Sequence, residues 1–237
     1  MLSDNLARVR QRLHQACQRS QREPSSVTLI CVTKGVAPDL IREAVRWGAT
    51  HLGENRVQEA QAKQQALAST SLLPVQWHLI GHLQRNKAKL AVELFDVIHS
   101  VDSVAVAEAL EQQAAKQDRK IEIFVQVNAS RETTKFGCQP AQMMTLARTI
   151  ASLPHLRLQG LMTMAPFSDN PEDARPHFRR LREMRDELER ALRLEPCVLR
   201  LSMGMSQDFE TAIEEGADFV RIGTAIFGQS HQTGQGA

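Results

Sequence analysis

The feature that most restricts this chain is an alternation of element types: short apolar runs followed by helix-like segments, eight times over. The runs are Val27 to Lys34, His51 to Glu54, Gln76 to Gly81, Val97 to Val101, Ile121 to Asn128, Leu156 to Met164, Val198 to Met203 and Phe219 to Gly223. Segments with helical spacing lie between them, among them Pro38 to Trp47, Val57 to Leu67, Val104 to Lys116, Ala141 to Leu153 and Asp208 to Glu215. The run from Ile121 to Val127 is largely apolar, as suits a parallel strand covered by helices. Eight successive βα steps predict an α/β fold, a (β/α)8 TIM barrel, over an open doubly wound sheet. A length of 237 residues is ordinary for one such domain, and no linker interrupts it. A single domain over 1–237 is expected, with a core of about 5–228 and a polar, Gly-rich tail at 229–237.

The two ends carry further expectations. Leu2, Leu6, Val9, Leu13 and Ala16 repeat at helical spacing among polar residues, which predicts an amphipathic opening helix near residues 3–21. The tail offers no helix after the eighth strand, so the opening helix is placed to cover that part of the barrel. The longest helix should begin with Asn170 as N-cap and Pro171 at its first position, followed by Glu172 and Asp173. On it Phe178, Leu181 and Leu188 mark the buried side, and Arg179 with Glu183, Arg182 with Asp186 and Arg185 with Glu189 stand four apart. Interleaved acids make that arginine-rich stretch a solvated face, not an RNA contact.

Charge and composition exclude several function classes. A formal net charge of +2 supplies no basic field for nucleic acid and no bias toward anionic membranes. No stretch approaches the roughly 20 continuous apolar residues that span a bilayer. Cys17, Cys31, Cys138 and Cys197 are scattered without a CxxC pair or a preceding signal-type segment, so reduced thiols in a cytoplasmic protein are expected. The expected partner is a small molecule.

In a barrel, function gathers at the carboxyl ends of the strands. Lys34 ends the first run on the same strand face as Ile30 and Val32. An apolar, partly closed site there would disfavour the ammonium and free its lone pair for attack on a carbonyl; the plainer alternative is a lysine that ends a strand in water. Gly53-Glu54-Asn55 ends the second run and Gly81-His82 the third. Ser202-Met203-Gly204-Met205-Ser206 and Arg221-Ile222-Gly223-Thr224 have the composition of an anion cradle, although Gly with Ser also makes ordinary turns. Arg221 shares a strand face with Phe219 and Gly223, and a barrel-interior arginine needs an acceptor, for which Glu54 is the structural candidate. Arg200 falls on the face of Ser202. His78 and His82 straddle a strand end with no acidic third ligand, so no metal site is expected. A strand-one lysine, a phosphate cradle and a deep arginine together describe a pocket for pyridoxal 5′-phosphate. A cationic arginine beside the pyridine nitrogen would keep the ring unprotonated and a poor electron sink, which favours holding the cofactor over carbanion chemistry.

The sequence resembles the pyridoxal phosphate homeostasis proteins, the YggS/PROSC family, over roughly residues 5–228. The resemblance is carried by Val32-Thr33-Lys34, the run from Gly53 to Glu59, the run from Trp77 to Lys87, Lys135-Phe136-Gly137, Gly160 to Met164, Leu201 to Ser206 and Val220 to Gly228. It implies a barrel similar to the amino-terminal domain of alanine racemase, with no established catalytic turnover. It implies Lys34 as the Schiff-base lysine, Arg221 as the pyridine partner, Ser202, Gly223 and Thr224 at the phosphate, and Asn55 and Met203 lining the ring site. It implies a role in vitamin B6 supply; apo forms of pyridoxal phosphate enzymes are the expected recipients, and a monomer is expected. After the lysine, Gly35-Val36-Ala37-Pro38 departs from the Thr-Lys-Pro type of sequence common in the family, so a second nearby lysine is missing; Lys135 is a candidate for a transient contact.

The competing readings are both enzymes. A racemase on this barrel pairs lysine with a tyrosine from a second domain as opposite-face base, and this chain contains no tyrosine, leaving His82 as a conceivable replacement. A lysine-imine aldolase acting on a phosphosugar would be colourless as purified, whereas a pyridoxal protein would not.

Overall fold

In the computed structural model, which describes residues 1–68, 74–130, 132 and 135–228, eight parallel strands close into a barrel in sequence order. They are β1 (Thr28–Val32), β2 (His51–Glu54), β3 (Gln76–Leu79), β4 (Val97–Val101), β5 (Ile121–Gln126), β6 (Leu156–Met162), β7 (Arg200–Ser202) and β8 (Phe219–Ile222). Closure comes from β8 pairing with β1, Leu29 opposite Val220 and Ile30 opposite Arg221. Each strand falls within its expected run, and most stop short of the carboxyl end. Residues such as Lys34, His82 and Met164 therefore stand on the connections that rim the barrel.

The helices are α1 (Leu2–Arg19), α2 (Pro38–Arg46), α3 (Val57–Leu67), α4 (Ala88–Leu94), α5 (Val104–Lys116), α6 (Pro140–Ser152), α7 (Arg175–Leu192), α8 (Phe209–Glu214) and α9 (Thr224–Phe227). Proline opens α2 and α6, where its missing N–H costs nothing. Their apolar stripes meet the outward side chains of the strands in one continuous layer that includes Phe95, Phe178 and Phe209. Inside the barrel a separate, small apolar cluster forms from Ile30, Val97, Phe124, Met162 and Phe219.

The opening helix behaves as its spacing predicts. Leu2, Leu6, Val9, Leu13 and Ala16 are buried, and α1 lies against α8 and α9 across the seam where the barrel closes. Arg12 pairs with Glu210 at 2.8 Å and the Asn5 amide donates to the Ile226 carbonyl at 3.0 Å, fixing that position. One expectation is corrected here: a helix does follow the eighth strand. It is the single turn of α9, started by Ile226 and Phe227 N–H groups donating to the Gly223 carbonyl and anchored by buried Ile226. Four residues are too few for a periodic signal to show in sequence. The tail at 229–237 lies outside the described residues.

The arginine-rich helix also starts differently. Asn170 accepts from the Glu172 N–H at 3.3 Å, but what it caps is a 3-10 turn over Pro171–Ala174, and α7 begins at Arg175. The cause is Pro176, which has no N–H to donate to the Glu172 carbonyl, so one α-helical ladder cannot run through both. Phe178, Leu181 and Leu188 are buried as expected. Of the three i,i+4 pairs only Arg185 with Glu189 is close, at 3.8 Å. Arg179 and Arg182 reach Glu215 instead, at 3.2 and 3.0 Å, joining Arg175 on the same buried carboxylate.

Candidate functional site

The carboxyl ends of the strands surround a cleft of about 1330 Å3. Five of the seven residues expected in a cofactor site line it: Lys34, Asn55, Arg221, Gly223 and Thr224. Ser202 and Met203 do not; both are fully buried beneath it.

Lys34 owes its place to a tight turn. The Val36 N–H donates to the Thr33 carbonyl at 2.9 Å, and Gly35 sits at φ 68°, a left-handed conformation that a side chain would strain. Behind the turn, Thr33 donates its hydroxyl to Glu54 Oε1 at 2.5 Å, and Lys63 Nζ reaches both that same oxygen and the Thr33 carbonyl. Glu54, Lys63 and Thr33 are buried, so this network is a rigid backing for the lysine. Lys34 itself is exposed to the cleft, not enclosed by apolar walls.

Glu54 is thus committed to Lys63, which corrects its expected pairing with Arg221. Arg221 instead donates to Ser202 Oγ at 2.7 Å and to the Thr163 carbonyl at 2.8 Å. It forms no ion pair among the described residues. Burial pushes its pKa down to about 10, partly offset by the Asp208 charge, so it remains a cation near neutral pH, with no partnering carboxylate. An unneutralised guanidinium at the floor of a cleft is expensive, and two of its five N–H groups are satisfied by neutral acceptors.

The cleft wall is built by close backbone approach. A Cβ at Gly81 would stand 2.2 Å from the Asn55 carbonyl oxygen, so only glycine lets the third strand end pack here. Beyond it His82 stacks on Phe136 with ring centroids 4.2 Å apart and sets Nδ1 3.4 Å from Asp102 Oδ2. Ser206 joins Gly223 and Thr224 on the opposite rim. Lys135 sits 3.8 Å from Glu132, an ordinary surface pair. Arg200 is exposed, its guanidinium 5.7 Å from the centre of the Phe219 ring at the amino-terminal end of the barrel, away from the cleft.

What sequence reasoning missed lies below the floor. His51, His78 and His99 come from β2, β3 and β4, and successive ring nitrogens stand 2.9 Å apart, ending with His99 Nδ1 2.9 Å from Ser202 Oγ. Burial and the neighbouring cation Arg221 hold His99 far below the usual histidine range, and burial with His51 nearby pushes His78 down to about 3. Alternation places each of these histidines on an inward strand face, which is the only signal the sequence carries for them.

The model of the alanine racemase amino-terminal domain family matches residues 5–231. A pyridoxal phosphate homeostasis protein of Aquifex aeolicus is 42% identical over 226 residues, covering 95% of this chain and 97% of its own. PipY of Synechococcus elongatus, solved with PLP bound, is 39% identical with a TM-score of 0.82, covering 96% of this chain and all of that one. An alanine racemase of Clostridium difficile shares the fold alone, at 16% identity and a TM-score of 0.73, with 57% of its length covered.

Proposed function

The chain belongs to the pyridoxal phosphate homeostasis protein family, and from that premise we propose that it holds pyridoxal 5′-phosphate at this cleft and supplies it within the cell. The observation that carries the reading is the pairing, across one cleft, of an exposed lysine with a buried arginine that lacks a carboxylate. A relative of 39% identity whose structure is described as having PLP bound supports it.

The residues present fit that cofactor. Lys34 supplies the amine through which the cofactor is held covalently. Arg221 would supply a cation at the floor for the cofactor's pyridine nitrogen. The Ser206 and Thr224 hydroxyls, with the Gly223 backbone, supply donors for the phosphate, and Asn55 lines the ring site beside Gly81. Met203, expected beside the ring, is buried in the outer apolar layer and does not reach the cleft. Ser202, expected at the phosphate, has its hydroxyl engaged by Arg221 and His99, so in this arrangement it acts on the cofactor through Arg221. When bound, the group supplies an aldehyde that condenses with primary amines and a ring that withdraws electrons.

What the chain's own residues do favours storage over turnover. Arg221 stays protonated near neutral pH, so a pyridine nitrogen beside it would remain unprotonated and the ring would be a weaker electron acceptor. The chain has no tyrosine to serve as an opposite-face base. An open cleft with an exposed lysine suits release to apo forms of pyridoxal phosphate enzymes, from a monomer working in the cytoplasm.

The test is spectral. Protein loaded with pyridoxal 5′-phosphate should absorb near roughly 420 nm, borohydride should fix the cofactor, and peptide mapping should find it on Lys34. Lys34→Ala should lose the band while staying folded. Covalently bound cofactor in Lys34→Ala would refute the assignment, and inversion of L-amino acids at enzyme-like rates would favour the racemase reading.

A further inference from the structure

The three histidines and Ser202 form a continuous hydrogen-bonded column through the barrel, and its direction can be worked out from donors and acceptors. Arg221 has only N–H groups to offer, so Ser202 Oγ accepts from it. The Ser202 hydroxyl proton then has one neighbour left to receive it, His99 Nδ1. A neutral imidazole that accepts on Nδ1 carries its proton on Nε2, which His99 donates to His78 Nδ1; His78 in turn donates from Nε2 to His51 Nδ1. The last proton, on His51 Nε2, emerges at a second cavity of about 410 Å3 at the amino-terminal end of the strands, lined also by Arg10 and His14. Phe124, stacked on His99 with centroids 4.5 Å apart, and Phe219 beside His78 sheathe the column where His78 and His99 are fully buried.

We propose that His99, His78 and His51 are positioning residues for the cofactor cleft: a tautomerically locked column that, through Ser202, aims Arg221 at the floor and leaves its charge unneutralised. Every dipole in the column presents its negative end toward the guanidinium. A carboxylate in the same place would bind the arginine as tightly but would cancel the field it exerts on the ligand. Ser202, with its proton committed to His99, shows Arg221 only lone pairs, so the guanidinium has one favoured orientation.

This inference rests on the cofactor reading for its purpose but not for its first test. Histidine-selective 15N NMR of the cofactor-free protein should find His51, His78 and His99 each protonated on Nε2 alone. A proton on His99 Nδ1 would overturn the proposal, whatever the protein binds. Failure of the wild-type protein to take up pyridoxal 5′-phosphate would instead sink the cofactor reading and leave the NMR result standing. In the loaded protein, His99→Gln can accept from Ser202 and donate to His78, and should keep the dissociation constant within about threefold. His99→Leu cannot, and should weaken it about tenfold and shift the visible absorption maximum, as expected for one broken buried hydrogen-bond chain. Equal behaviour of the two variants would overturn the proposal. Should His99→Leu not fold, His78→Leu against His78→Gln makes the same comparison one step further from the cleft.

Discussion

The two sides of the sheet obey different rules. Outside, between strands and helices, a continuous apolar layer buries Phe95, Phe178 and Phe209 and contains little that titrates. Inside, the apolar cluster is small, and the volume is shared with three histidines, Ser202 and Arg221. The outer layer needs only complementary shape, and each residue there contributes by leaving water. The inner residues each need a particular neighbour, since an unpaired polar group in that space costs more than a lost contact. The outer layer thus sets whether the chain folds, and the interior sets what the folded chain can hold.

The comparison breaks first under large truncations. Phe178→Ala, in the outer layer, should cost about 3–5 kcal/mol by denaturant melts and leave the affinity of the folded fraction for pyridoxal 5′-phosphate unchanged. A changed affinity would mean that the two layers are coupled. Gly81→Ala acts at the cleft wall. It should cost about 1–3 kcal/mol by overpacking and weaken the cofactor as well, because the new methyl pushes on Asn55.

Acid sharpens the contrast. His78 is held near a pKa of about 3 in the folded chain against about 6.5 in the unfolded one, so between those values the unfolded state binds more protons. The stability His78 confers is whole above about pH 6.5 and declines as pH falls toward 3, by about 1.4 kcal/mol per pH unit once the window is entered. His99, also depressed, adds a loss of the same sign. Melts of wild type and His78→Gln from pH 7 to 4 should converge; parallel curves would remove the buried neutral histidine from the account. The smallest effect belongs to the surface. Arg19→Ala, which removes a half-exposed pair with Glu214, should cost less than about 1 kcal/mol and less still in salt.

Much of this was legible in the order of residues. Apolar runs spaced by helical segments were enough for eight strands, and Lys34 and Arg221 stood out as charged residues in apolar strand contexts. Two placements differ between the sequence and the structure, each for a local reason. Alternation sets Glu54 on the outward face of β2, opposite to inward His51, so it meets Lys63 of α3 and not Arg221, and Pro171 reads as the opener of α7 until Pro176 is set against the carbonyl four residues before it.

Local sequence determined the element types and which faces look inward, because alternation and helical period are short-range properties of the chain. Only the closed barrel decided who meets whom inside it. His51, His78 and His99 stand 27 and 21 residues apart, and nothing near any of them specifies the next. Their contacts come from the stagger between neighbouring strands, as does the meeting of Ser202 with Arg221. A hydrogen bond is met or missed by fractions of an ångström, and that precision is fixed by the packing of all eight strands together.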